Sequence, residues 1–261
     1  MTDHRAFAQG LPDKVRADLA ETGNRDGLYH LAGHLGLILV TGALIWLRVP
    51  GWWALLPIHG VLLTFLFTLE HECTHKTPFR AAWLNEGAGR IAGLVLILPF
   101  EWFRYFHLAH HRWTNIPGKD PELDAPKPET RRQWLWHVSG IPYWRSQIAL
   151  LPGLAFGRVD VPYLPQGAMP RIRAEARAML AAYAVLGLTL FRSDALLWLW
   201  VVPMLAGQPA LRLYLLAEHG DCPQVASMFE NTRTTFTNRA VRFLAWNMPY
   251  HVEHHVMPQV P

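Results

Sequence analysis

Cysteine is nearly absent from this sequence, with two residues in 261, which excludes a disulfide scaffold. Charge is sparse as well: Asp, Glu, Lys and Arg make up 17% against 51% hydrophobic residues, a balance incompatible with a disordered or collagen-like chain. There is no internal repeat and no low-complexity tract. A secretory signal peptide is missing too, because Asp3, Asp13 and Asp18 interrupt residues 1–27 and the apolar run behind them is too long. That stretch reads as a cytoplasmic leader, with Pro12 to Glu21 a candidate interfacial amphipathic helix. What the chain does have is twelve tryptophans, fourteen histidines and a net charge of +4. The positive charge lies between long apolar runs, which favours anionic lipid over nucleic acid as a partner.

Four of those runs are long enough to matter. Residues 28–47 and 49–69 carry no formal charge and are separated by Arg48, with Pro50 and Gly51 supplying a tight turn. Twenty helical residues rise about 30 Å, the thickness of a bilayer core. A second hairpin is expected from 178–191 and 195–217, turning at Arg192 to Asp194, with Arg212 the one intramembrane charge. Arg177 and Arg192 can extend the shorter run by snorkelling. A fifth run, Ile91 to Phe100, has ten residues and suits an in-plane or re-entrant segment over about 91–103. Lysine and arginine cluster before the first run and between Lys76 and Arg177, which places both termini and the long middle segment on the cytoplasmic side. The expectation is an all-α, multi-pass membrane protein: a leader over 1–27, then one membrane domain over 28–261 with four spans and a cytoplasmic helical cap.

The histidines are concentrated in three clusters. His71 and His75 follow the second run, His107, His110 and His111 follow the fifth, and His251, His254 and His255 follow the fourth. His219 stands at the end of that fourth run. Offsets of three and four put helical side chains on one face. With four spans and a fifth run that does not cross, all nine imidazoles meet at one membrane face. Imidazole suits iron, zinc and copper, and nine exceed the needs of one ion. Two metals with four or five ligands each account for the number. Glu70, Glu72, Glu218 and Glu253 are interleaved with the clusters and are candidates to orient the ligating rings.

The order HxxxH, HxxHH, HxxHH, with Thr114-Asn115 after the second box and the string from Asn247 to Pro261 around the third, resembles the integral-membrane fatty acid desaturase superfamily. The resemblance runs from about residue 30 to the end. It implies two non-haem irons held by His71, His75, His107, His110, His111, His251, His254 and His255, with His219 in the place of an additional histidine on the fourth helix. It also implies O₂ as co-substrate, a lipid or acyl substrate, and electrons from a separate ferredoxin-, rubredoxin- or cytochrome b5-type donor, since no fused His-Pro-Gly-Gly haem motif is present. Acyl-CoA members carry Asn one turn before that additional histidine. Leu215 stands here instead, leaving Asn247 as a substitute, with Asn115 a further candidate around the metals. Glu72 occupies a first-box position where many acyl desaturases have Asp, as in alkane-hydroxylase relatives. Most relatives continue beyond the position of Pro261. The expected reaction is insertion of a double bond into an acyl chain, with hydroxylation of a lipid, carotenoid or alkane as the alternative.

Two readings of other classes stay open on the residues alone. A metal-ion transporter would place its ligands near the bilayer midplane, whereas these lie at span ends. A haem protein would need single facing histidines. Among the weaker signals, His30 and His34 read as interfacial anchors and His59 as a hydrogen-bonded intramembrane imidazole or a functional group. Asp120 and Glu122 read as partners of loop arginines, and Cys73 as a free buried thiol. Gly87 to Ala92 mimics a dinucleotide fingerprint with no strand before it.

Overall fold

Residues 4–157 and 159–261 are described by the computed structural model, and every regular element among them is helical. Uncharged runs of this length lack the alternation of a half-buried strand, and in hydrocarbon a helix satisfies its own backbone polar groups. In chain order the helices are α1 (His4–Gly10), α2 (Asp13–Leu19), α3 (Arg25–Trp46), α4 (Leu55–Thr64), α5 (Leu66–His75), α6 (Ala82–Leu96) and α7 (Phe100–Trp113). They continue with α8 (Arg131–Val138), α9 (Ile141–Phe156), α10 (Met169–Leu188), α11 (Val202–His219), α12 (Arg239–Leu244) and α13 (His251–Val256).

Four helical stretches are long and apolar enough to cross a membrane: Arg25–Trp46, Trp52–His75, Gln166–Phe191 and Leu197–His219. The number matches the sequence reading, but the bounds differ in an informative way. The second stretch does not stop at the first charge. It runs on through Glu70 to His75, so the first histidine pair is the last turn of the span itself. The third is longer than the uncharged segment 178–191, because its charged first half is tied to neighbours. The Arg177 guanidinium donates to the Ala155 carbonyl at 2.9 Å, and Glu175 accepts from Arg90 at 2.6 Å and from the Glu101 backbone N–H at 2.7 Å.

The apolar run around residues 91–103, expected to be in-plane or re-entrant, is not one straight helix. It is the elbow between α6 and α7, bent by 98°, with Ile97 in the left-handed region at φ 59. Ending a helix among apolar neighbours leaves its last carbonyls without partners. Three helical segments supply them: the Tyr183 hydroxyl donates to Leu94 O at 2.6 Å, the Trp200 indole N–H to Val95 O at 2.9 Å, and the Tyr143 hydroxyl to Leu96 O at 3.1 Å. This elbow aims α7, and with it the second histidine cluster, back toward the first.

Helices α4 and α11 cross at backbone contact. A Cβ added to Gly60 would lie 2.0 Å from the Pro203 carbonyl oxygen, and one added to Gly207 would lie 2.1 Å from the Gly60 carbonyl. Small residues at a crossing are how helices approach closely in lipid. The weaker histidines also turn out to be ties between elements. His59 Nε2–H donates to Leu199 O at 3.1 Å and its Nδ1 lies 2.7 Å from Thr41 Oγ1. His34 contacts Leu62 O at 2.9 Å and accepts the Trp246 indole N–H at 3.2 Å, while His30 stacks on Trp246 and Phe243. His34 is fully buried rather than anchored at an interface. These contacts pin α3 to α4 and to the segment before the third histidine cluster.

Candidate metal centre

Four helix ends deliver the nine histidines. The last turn of α5 presents His71 and His75 one turn apart, α7 presents His107, His110 and His111, α11 ends on His219, and the short α13 presents His251, His254 and His255. Eight are buried and His75 is half-buried. They segregate into two groups. His71, His75, His107, His111 and His254 offer nitrogens that all lie within 4.8 Å of one another, and His110, His219 and His255 do the same. His251 joins the second group through its Nε2, 3.1 Å from that of His219 and 3.2 Å from that of His255.

The separations fit metal coordination. At a metal–nitrogen bond of about 2.0–2.1 Å, neighbouring donors stand roughly 2.8–3.4 Å apart in octahedral to tetrahedral sites. The Nε2 atoms of His75 and His107 are 2.8 Å apart, those of His111 and His254 3.1 Å, and those of His110 and His219 3.2 Å. His71 Nε2 is buried without a hydrogen-bond partner, the condition of a donor atom waiting for a cation.

Protonation is arranged to match. His110 Nδ1 lies 3.0 and 3.1 Å from the Asp120 carboxylate, which must accept its proton. His219 Nδ1–H donates to Asn231 O at 3.1 Å. The Thr114 hydroxyl gives its single hydrogen to His110 O at 2.8 Å, so at 3.1 Å it accepts from His255 Nδ1–H. With the proton held on Nδ1, each of these rings turns a bare Nε2 lone pair inward. In the first group Glu72 plays the same part on His71 Nδ1 at 3.0 Å; its carboxylate also accepts from Thr77 Oγ1 at 2.8 Å and lies 3.7 Å from His254 Nδ1. Burial pushes the pKa of His251, His254 and His255 well below the ordinary imidazole value. They are therefore neutral, the form that binds metal.

Of the carboxylates and amides expected around the metals, Glu72 sits against the His71 ring. Glu253 does not: it is exposed and accepts a hydrogen bond from the Thr234 hydroxyl. Asn247 is exposed too, at a left-handed turn with φ 61, and cannot replace the oxygen donor missing at Leu215. Glu70 is fully buried but faces α6 at Gly93, away from the rings. Asn115 touches no ring; its backbone N–H donates to Asp120 at 2.7 Å, and its side chain is held by Lys127 at 2.9 Å. Glu218 approaches His251, though at Nε2 rather than Nδ1, with 3.6 Å between them. Among the described residues Asp120 and Glu122 pair with no loop arginine; Asp120 is buried on His110 and Glu122 lies 3.6 Å from the same Nδ1.

The sequence reading therefore missed Asp120, Asn231 and the role of Thr114. For Asp120 a signal existed: an acid ten residues after His110, beyond a Pro117-Gly118 turn that can fold it back. Asn231 acts through its backbone carbonyl, which no side-chain motif reveals.

With this geometry in hand, the comparisons with known proteins are specific. The sequence profile described as "Fatty acid desaturase" matches residues 50–261. The sn-1 oleoyl-lipid 12-desaturase of Picosynechococcus sp. (strain ATCC 27264 / PCC 7002 / PR-6) is 32% identical over 124 residues, covering 44% of this chain and 36% of its own. The sn-1 oleoyl-lipid 12-desaturase of Arthrospira platensis is 24% identical over 254 residues, 80% of this chain and 66% of its own. The chloroplastic omega-6 fatty acid desaturase of Spinacia oleracea is 23% identical over 249 residues, 87% of this chain and 54% of its own. The chain thus spans between about a third and two-thirds of the length of these relatives.

Proposed function

Because the chain belongs to the fatty acid desaturase family, we propose that it is a membrane oxidoreductase that uses O₂ and two irons to insert a double bond into a lipid acyl chain. The observation that carries this reading is the division of nine histidines into two groups whose Nε2 atoms stand a coordination edge apart. Bound there, a pair of irons supplies the O₂ activation and the removal of one hydrogen from each of two adjacent carbons. The chain's own part is positional. Glu72, Asp120, Thr114 and the Asn231 carbonyl hold the rings in the tautomer that leaves Nε2 free. Phe103 and Phe67 pack against His107 and His71 and keep water from that side. An acyl chain must be presented with two neighbouring C–H bonds toward the metals, and that placement separates desaturation from hydroxylation.

The named relatives act on oleoyl-lipids or bear omega-6 fatty acid desaturase names, which favours an acyl-lipid substrate over a carotenoid or alkane. The distribution of lysine and arginine supports a cytoplasmic face for the metals and both termini, where a soluble donor of the ferredoxin, rubredoxin or cytochrome b5 type can deliver electrons. The test is expression in a host of defined lipid composition, followed by mass spectrometry of its acyl chains. The expected product has lost two hydrogens, and a product that has gained one oxygen atom instead rejects desaturation in favour of hydroxylation. Purified protein is expected to hold two irons per chain, and a haem spectrum or a single zinc would reject the centre itself.

A further inference from the structure

We propose that Glu218 is a direct oxygen ligand of the second metal, so that one site carries five imidazoles and the other four imidazoles and a carboxylate. The inference rests on the two-metal reading above and deepens it. Its first ground is a difference in donor number: the first group holds five rings, whereas the second holds His110, His219, His255 and the adjoining His251.

The second ground is which ring nitrogen the acid meets. Outer carboxylates in this site meet Nδ1, as Glu72 does on His71 and Asp120 on His110. Glu218 Oε2 instead lies 3.6 Å from Nε2 of His251, the same nitrogen that stands 3.1 and 3.2 Å from the donor atoms of His219 and His255. His251 Nδ1 meanwhile has no partner. An acid meant to orient that ring would sit on Nδ1. This one sits on the inner side, among the donors.

The third ground is charge. Glu218 is 8% exposed and its Oε1 is buried without a hydrogen-bond partner. No lysine or arginine among the described residues is within ion-pair distance of it. A buried carboxyl keeps its negative charge only beside a cation and otherwise takes up a proton, and a metal at the second site is the cation the geometry provides. Its backbone is fixed for the purpose: the Arg233 N–H donates to Glu218 O at 2.9 Å, and the Arg233 guanidinium to Gly220 O at 2.7 Å, pinning the end of α11. Carboxylate oxygen and imidazole are both good donors to iron, and the two metal positions are then chemically inequivalent.

The experiment is a titration of the purified full chain, stripped of metal, with cobalt(II), followed by visible absorption and metal analysis. The wild type is expected to bind two equivalents. Glu218→Gln is expected to keep one equivalent at wild-type affinity, which also reports that the variant is folded, and to bind the second at least tenfold more weakly. Glu218→Asp, which keeps the charge on a shorter arm, is expected to recover part of that loss. A residue acting only through His251 would have no effect in a His251→Ala background, whereas a ligand weakens the second site further there. Unchanged binding of two ions by Glu218→Gln, or no added loss in the His251→Ala background, overturns the assignment of Glu218. A wild-type chain that binds fewer than two cobalt ions overturns the two-metal reading instead.

Discussion

A histidine becomes a metal ligand only when something decides which of its nitrogens carries the proton, and at His110 that decision falls to Asp120. The acid is 3% exposed and accepts from His110 Nδ1, from the Asn115 N–H at 2.7 Å and from the Glu122 N–H at 3.0 Å. Those hydrogen bonds outweigh the effect of burial and hold its carboxyl below the usual range, so it stays an anion. Asp120→Ala is therefore expected to weaken metal retention by about 10–100-fold. Asp120→Asn is expected to lose less, because an amide oxygen still accepts from Nδ1–H. Metal content after dialysis against a weak chelator checks both, and equal retention by Asp120→Ala would remove the residue from the site. Direct ligands should behave more drastically. His254→Ala and His110→Ala are each expected to abolish loading of their own group while the protein still inserts into membranes. The histidine clusters themselves were legible in the sequence, because helical spacing declares which side chains share a face. Their partners were legible only where they neighbour a histidine in sequence, as Glu72 does. Asp120 is brought to its ring by a loop, and Glu253, adjacent to His254, is turned outward by one residue of helix rotation.

At the level of elements, the site depends on two unusual helix features. One is the crossing of α4 and α11, where Gly60 and Gly207 touch through their backbones. Since α4 leads into α5 and α11 ends on His219, this contact sets the spacing between the first histidine pair and the ninth. Gly207→Ala places its methyl 2.1 Å from the Gly60 carbonyl, and backbone cannot yield as a flexible side chain does. The expected cost is about 3 kcal/mol or more, read as a lower unfolding temperature in detergent, with loss of metal following from the altered crossing. The other feature is the elbow between α6 and α7, whose exposed carbonyls are capped by Tyr183, Trp200 and Tyr143. Removing one donor leaves a buried carbonyl unpaired, so Tyr183→Phe is expected to destabilise the protein by about 1–3 kcal/mol. An unchanged unfolding temperature would show that the Leu94 carbonyl reaches another donor. Counting apolar residues located the elbow but left its shape open between in-plane and re-entrant, because hydropathy records where a chain is greasy and not where it turns. The extension of the third span through Glu175 and Arg177 was invisible for a related reason: the partners that make those charges tolerable come from α6, α7 and α9.

Across the whole molecule, the architecture does one thing that no element does alone: it gathers nine imidazoles, eight of them buried, in one place. Fully exposed, such rings would titrate near about 6.5. Burial holds His251, His254 and His255 well below that. In the unfolded chain the same rings take up protons as the pH falls through the ordinary range, while in the folded chain they do not. The unfolded state thus binds more protons, and stability must rise with pH across this window and decline as the solution is acidified. Metal binding works in the same direction, since protons and metal compete for Nε2. Metal content is expected to be constant from about pH 7 upward and to fall steeply below about pH 6, with loss of tertiary structure accompanying or following it. Metal analysis of samples equilibrated across that range, alongside near-ultraviolet circular dichroism, decides the matter. Retention undiminished at about pH 4, or release on raising the pH instead, would mean that the rings are not the neutral donors that their burial requires.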